Sequence, residues 1–393
     1  MNFTAASRTL SIKASPTLAI AARANELIKQ GKDLINLSAG EPDLVTPDNV
    51  KLAAKKAIDN NQTYYTDVSG TLELRNAIVD KFKRDNALVY DANQILVSSG
   101  AKHGLYNLAQ ALINPRDEVI IPAPFWVSYP DIIYLAEGKP VIISTNIEQQ
   151  FKITPEQLAR AITPKTKLVI LNSPSNPTGS CYTKDELAAL GQVLLQYPHV
   201  YVLSDDIYEY LQFDGNSFCN ILNACPELYS RTIIFNGVSK GYSMTGWRIG
   251  YAAGDADIIK CMKKIQSQNT SNPCSIAQAA ALEAIAGDQS FPSQLNQIFK
   301  QRHDALLAGL KSIDGCEVFP SNGSFYSFPD FNKVIKKLRL KNDLELTELL
   351  LDKALVSVVP GSAFGAEGCL RISFTKDIDI LNAAVSRIKL AVN

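Results

Sequence analysis

Seven short runs in the first two thirds of the chain are apolar almost throughout, without a polar alternation. They are residues 95–98 (ILVS), 118–122 (EVIIP), 140–144 (PVIIS), 167–172 (KLVILN), 200–204 (VYVLS), 231–236 (RTIIFN) and 249–253 (IGYAA). Runs of this kind suit strands covered on both faces, as in a parallel sheet with helices on each side. Helix signals fill the gaps. Thr71 precedes a pattern with apolar Leu74, Ala77, Ile78 and Phe82. Thr154-Pro155-Glu156 is an N-cap followed by proline in the first turn, and Thr183 to Glu186 is a capping box. Strands alternating with helices predict an α/β domain whose sheet is mostly parallel.

The pattern changes after about residue 289. A long amphipathic helix is expected over 295–313, then strands at 316–320 and 325–328, a helix near 344–354, strands at 356–359 and 369–374, and a last helix at 378–392. This mixture predicts a smaller α+β domain. The expected division is a large domain over 46–290 and a small one built from 1–45 together with 291–393.

Composition narrows the function. Lys plus Arg and Asp plus Glu number 39 each, so there is no basic excess to favour nucleic acid. Seven cysteines without a C-x-x-C spacing argue against a disulfide framework or a structural zinc, and fit reduced thiols in a cytoplasm. No metal site is expected. No apolar run is long enough to span a bilayer, and the first residues lack the apolar core of a signal peptide.

Several polar clusters follow directly on predicted strands, where open α/β sheets bind ligands. In SKGYSMTGWRIGY (239–251), Lys240 lies among glycines and bulky apolar residues, unlike a solvated charged face. Held there it would be desolvated, its pKa would fall, and a neutral amine could form a Schiff base. Arg248 would serve as a phosphate clamp. SSGAKHG (98–104) is a glycine turn opening a helix, which points N–H groups at an anion, though most such turns hold none. NSPSNPTG (172–179) reads by itself as an ordinary turn, and the acids of SDDIY (204–208) as helix caps. Trp126 would by itself be a core or interface residue.

Taken together and in this order, these motifs resemble the class I aminotransferases, which are fold-type I pyridoxal-phosphate enzymes, and most nearly the bacterial aspartate aminotransferases. The resemblance runs from Ser38 to Arg371. It implies pyridoxal 5'-phosphate held as a Schiff base on Lys240, with Gly100, Ala101, Lys102, Ser239 and Arg248 around its phosphate. Trp126 would stack on its ring, Asn176 and Tyr208 would bond its phenolate oxygen, and Asp205 would pair with its ring nitrogen. The Asn176–Pro177 bond is expected to be cis. Tyr65 would reach the phosphate of a neighbouring subunit, which implies a homodimer with a shared active site. For substrate, Arg371 would clamp the α-carboxylate beside Gly40, with Trp126 and Asn176 close by. Thr17 and Lys102, and less directly Lys13, would meet a side-chain carboxylate.

The resemblance implies ping-pong transfer of an amino group between L-aspartate and 2-oxoglutarate. Aromatic amino acids or prephenate are alternative substrates, and a pyridoxal-dependent lyase is an alternative chemistry. A regulator on the same fold would carry a DNA-binding extension, for which the residues before Ser38 leave no room. Two departures stand out. Gly237 occupies a position where relatives carry a phosphate-binding serine, and no match exists for the second-subunit arginine of animal-type enzymes. His103, His199 and His303 receive no acid–base role.

Overall fold

The structure, a computed structural model, describes residues 3–12, 16–213, 215 and 217–393, with the side chains of 16–19 and 21 outside the description. Its centre is a seven-stranded sheet. The strands are β1 (Ile95–Ser98), β2 (Glu118–Ala123), β3 (Lys139–Ser144), β4 (Thr166–Asn172), β5 (Tyr201–Asp205), β6 (Thr232–Gly237) and β7 (Gly250–Ala253). Their spatial order is β1-β7-β6-β5-β4-β2-β3. The apolar runs are strands because both faces are covered. Val97, Val169, Leu171, Val202 and Ile234 enter one core with Leu74, Ile78 and Phe82 of the helix Leu72–Asn86. Their neighbours Leu96, Leu168, Ile170, Leu203 and Phe235 enter another, with Leu105 and Leu108 of the helix Ala101–Leu112. Side chains alternate across a strand, so burial on both faces demands the unbroken runs. Each fully buried Val, Leu, Ile or Phe contributes about 1.5–3 kcal/mol.

One strand departs from the parallel pattern. β7 runs antiparallel to both β1 and β6. The connection 238–249 holds turns and a single 3-10 turn at Thr245–Trp247, without the helix that a parallel crossover uses. The chain therefore doubles back, and residues at both ends of that connection stay at one edge of the sheet.

A third core joins Ile35 and Leu37 to Leu295, Phe299 and Leu306 of the helix Ser290–Lys311, to Ile372, and to Leu381 and Ile388 of the helix Ile378–Val392. Tyr208 and Leu211, just beyond β5, also enter it. Tyr326–Ser327, Leu370–Ser373 and Val359–Pro360 form a small antiparallel sheet, and Ile35–Asn36 pairs in parallel with Val356–Ser357. The segment 316–320 is not the expected strand, since only Glu317 bridges, to Asp330. The long helix starts at Ser290, earlier than its apolar spacing indicates. The last helix spans the expected residues.

Candidate active site

The carboxyl ends of β4, β5 and β6, the start of the helix Ala101–Leu112, and the turns around Gly40 and Arg371 enclose a cavity of about 370 Å³. That size is within the usual range for small-molecule sites. Its walls include Gly40, Ala101, Lys102, Trp126, Asn176, Asp205, Tyr208, Ser239, Lys240, Arg248 and Arg371. The reversal at β7 returns Arg248 to the same edge as Lys240.

Lys240 is partly buried and its Nζ donates to the Gly40 carbonyl at 2.5 Å. Desolvation, then the nearby Arg371 and Arg248 charges, push the amine down to about 8, while Glu41 and Asp205 oppose them. Asp205 ends β5 and is buried. Its Oδ2 accepts from the Tyr129 hydroxyl at 2.5 Å. Burial pushes this carboxyl up to about 6, against the pull of Tyr129, the Ile207 N–H and Lys240. Both shifts have the cause expected of groups taken from water. Tyr208 is buried, and its hydroxyl meets that of Tyr326 at 3.4 Å. Burial holds its phenol well above the ordinary range, so it stays neutral.

Asn176 is placed by Asn172, whose Oδ1 accepts from the Asn176 N–H at 2.8 Å. The Asn176–Pro177 bond is cis, as expected. The Asn176 Oδ1 accepts from Arg371 Nη1 at 3.2 Å, which leaves the Nδ2 hydrogens as its donors. Arg371 is buried between the rings of Tyr326 and Phe364, 4.4 and 5.0 Å from their centroids. Its Nη2 donates to the Ser38 carbonyl at 2.8 Å, and its Nε has no partner. Among the described residues no carboxylate pairs with it. A buried guanidinium without a counter-ion is costly, and an anion entering the cavity would relieve it.

A second anion position lies where the helix Ala101–Leu112 begins. Gly100 caps it at φ 86°, and a Cβ there would stand 2.3 Å from Arg248 Nη2. The guanidinium is thus packed over the glycine at the positive end of the helix. Arg248 adopts a left-handed φ of 57° and donates to the Thr245 carbonyl at 2.9 Å. Lys102 stands at the rim with Nζ 4.8 Å from the Trp126 ring centroid. Gly237 pairs with Gly250 in the sheet, and a Cβ on it would meet Gly250 Cα and the Ile249 carbonyl, each at 2.9 Å. The backbone fills the space a serine side chain would need. Ser239, buried on the cavity wall, is the nearby hydroxyl.

The family model described as aminotransferase class I and II matches residues 32–388. The chain belongs to this family. The aspartate/prephenate aminotransferase of Nitrosomonas europaea is 52% identical, over 97% of this chain and 98% of its own. The aspartate aminotransferase of Bacillus subtilis is 45% identical, over 98% of each. Among solved structures, the aspartate aminotransferase from Rhizobium meliloti matches with a TM-score of 0.96 at 45% identity, covering 100% of this chain and 99% of that one. The Thermus thermophilus enzyme, solved with maleate, matches with a TM-score of 0.94 at 38% identity, covering 99% and 100%.

Gly100 and Tyr65, both expected at the aminotransferase site, are not among the described cavity walls. Tyr65 is 91% exposed on the outer surface. Lys13 lies outside the described residues, as does the side chain of Thr17, which belongs to the first turn of the helix Pro16–Lys29. Five polar wall residues had no signal strong enough to single them out: Glu41, Tyr129, Asn172, Thr245 and Tyr326. Tyr129 lies three residues beyond Trp126, and their rings meet edge to face at 5.3 Å. The sequence of this aromatic cluster does not say which ring holds Asp205. His103 lies outside the wall; its ring meets the Ser99 N–H and Asn269 Oδ1.

Proposed function

We propose that this chain is a pyridoxal-phosphate-dependent aspartate aminotransferase, moving the amino group between L-aspartate and 2-oxoglutarate. The observation that carries the reading is a single cavity walled by a desolvated lysine, a buried carboxylate and two arginines set for separate anions. The donor set fits the cofactor: the Arg248-covered Gly100 turn suits its phosphate, Trp126 its ring face, Asp205 its ring nitrogen, and Asn176 and Tyr208 its phenolic oxygen. Held in this cavity and bonded to the substrate amine in place of Lys240, pyridoxal phosphate would supply an electron sink for the electrons of the substrate Cα–H bond.

The protein's own groups do the rest. Arg371 holds the α-carboxylate with its planar fork, beside Gly40. Lys240 Nζ, whose pKa falls to about 8, is neutral in about a tenth of molecules at pH 7, far more than an unperturbed lysine, and once the substrate amine has freed it from the cofactor it takes the α-proton. Asp205, with a pKa near 6, is ionised at that pH and holds a proton on the ring nitrogen. Lys102 and the N-terminal residues Thr17 and Lys13 are the candidates for the distal carboxylate. The maleate bound by the Thermus enzyme, a four-carbon dicarboxylate, supports a dicarboxylic substrate here.

The same reading divides the chain into a cofactor-holding domain, 46–290, and a domain of 1–45 with 291–393 that carries Arg371. The separate core around Phe299 and Ile372 supports it. It makes the protein a homodimer in which Tyr65, exposed in one subunit, serves the site of the other. Seven cysteines free of disulfides support a reducing, cytoplasmic setting. No helix among the described residues is long and apolar enough to cross a membrane.

A second reading, amino transfer to prephenate, is favoured by the Nitrosomonas relative, which is named an aspartate/prephenate aminotransferase. Steady-state assays with aspartate, glutamate or phenylalanine as amino donor and 2-oxoglutarate, oxaloacetate or prephenate as acceptor separate the two. The proposal expects aspartate with 2-oxoglutarate to give the highest kcat/KM. Turnover confined to an aromatic or prephenate pair would replace it, and ammonia release without an acceptor would mean a lyase.

A further inference from the structure

Behind the anion turn lies a buried amide that the chemistry above does not use. Gln266, on the helix Ala256–Asn269, is fully buried and makes four hydrogen bonds. Its Oε1 accepts from Ser98 Oγ at 2.7 Å and from Asn107 Nδ2 at 3.0 Å. Ser98 ends β1 directly before the anion turn, and Asn107 lies on the helix that the turn opens. Its Nε2 donates to the Val97 carbonyl at 2.8 Å and to the Val68 carbonyl at 2.7 Å.

Val68 belongs to the loop that joins the helices Asp48–Asp59 and Leu72–Asn86 and carries Tyr64 and Tyr65, which are 80% and 91% exposed. The loop is otherwise irregular; besides one backbone bond to β1, from the Val97 N–H to the Ser69 carbonyl at 3.0 Å, side chains anchor it. Ser275 Oγ donates to the Gln62 carbonyl at 2.7 Å, and Lys263 Nζ bonds Asp67 at 2.9 Å. Buried Gln278 donates to Thr66 Oγ1 at 3.1 Å and accepts from the Thr71 N–H at 2.8 Å. Gln266 alone of these anchors also touches the strand end and helix of the anion turn.

We propose that Gln266 is a positioning residue for two active sites at once. Through Ser98 and Asn107 it sets the anion turn of its own subunit, and through Val68 it sets the Tyr65 loop that serves the partner's site. The proposal rests on the reading of a shared active site in a homodimer. Both polar atoms of the Gln266 side chain are used, so a side chain of similar length without an amide takes this partner from the Val97 and Val68 carbonyls, Ser98 and Asn107.

Hybrid dimers test this, with Lys240→Ala marking the silent subunit. Two tagged chains are co-expressed and the mixed dimer is purified as holoenzyme. Cofactor affinity is read from the absorbance of the lysine-bound cofactor, which only the Lys240 subunit can give. With Gln266→Met in the Lys240 subunit, the anion turn is perturbed in cis. With Gln266→Met in the Lys240→Ala subunit, only the loop supplied in trans is perturbed. Both hybrids should show cofactor Kd raised by about tenfold, the scale of losing one or two buried hydrogen bonds. Lys263→Ala, at a partly exposed ion pair, folds without a buried gap and should raise Kd about twofold to threefold in trans and not in cis.

A Tyr65→Phe hybrid separates the two levels of the argument. If Tyr65→Phe is silent in trans, the shared-site reading fails and the proposal falls with it. If Tyr65→Phe acts in trans but Gln266→Met acts only in cis, or neither Gln266→Met nor Lys263→Ala acts in trans, the two-site role of Gln266 is overturned while the shared site stands.

Discussion

Replacing Asp205 with Asn should make the cofactor-free protein more stable while disabling it. The carboxyl is buried at the end of β5, with the Tyr129 hydroxyl on one oxygen and the Ile207 N–H at 3.4 Å from the other. Burial raises its pKa from 3.8 to about 6 despite those partners. The folded protein therefore holds this proton more tightly than the unfolded chain. The resulting penalty on folding is absent below pH 3.8, grows between 3.8 and about 6, and is constant above that. At about 1.4 kcal/mol per pH unit, the full penalty is about 3 kcal/mol. Asn keeps an acceptor for Tyr129 and carries no charge to desolvate. Urea unfolding of the apoprotein should show the variant more stable by about 2–3 kcal/mol at pH 8, and by about half as much at pH 5. The holoenzyme should lose at least about a hundredfold in kcat/KM, the scale of a lost charge-assisted hydrogen bond. An Asn variant less stable than the parent at pH 8, or a gain that does not change between pH 5 and 8, would refute the reasoning.

Two further outcomes follow from the same geometry. Because burial and Arg371 hold Lys240 near 8 rather than 10.5, capture of the cofactor aldehyde by the apoprotein should accelerate with pH only up to about 8 and then level off; a rate still climbing tenfold per pH unit between 8 and 10 would contradict this. Gly100→Ala would push a methyl group into Arg248 at a φ of 86°, so cofactor Kd should rise at least about tenfold, whereas Gly31→Ala, at a φ of 80° but facing open space, should leave it unchanged by equilibrium dialysis.

Much of this architecture can be read from particular residues. The unbroken runs such as Val169 to Leu171 require cover on both faces, and the structure supplies it. The capping boxes at Thr154 and Thr183 start helices where expected, because a hydroxyl that accepts from the N3 amide is a local device. Non-local facts were less legible. The antiparallel setting of β7 follows from what the connection 238–249 lacks, and its apolar strand reads like its parallel neighbours. The failure of Gly237 to admit a serine depends on the facing Gly250, thirteen residues away in sequence. Tyr129 and Tyr326 reach the cavity only through tertiary packing. By contrast, Lys240 and Arg248 stand out in a motif of their own, Asp205, Asn176 and Arg371 are picked out by the motifs taken together in order, and the fold brings all five to one cavity.

The most direct measurement is reduction of the holoenzyme with borohydride, followed by proteolysis and mass spectrometry of the peptides. The account predicts a stable pyridoxyl-phosphate adduct on Lys240, formed in full occupancy and lost in Lys240→Ala. An adduct on another lysine, such as Lys102 at the cavity rim, or no covalent adduct at all, would contradict it.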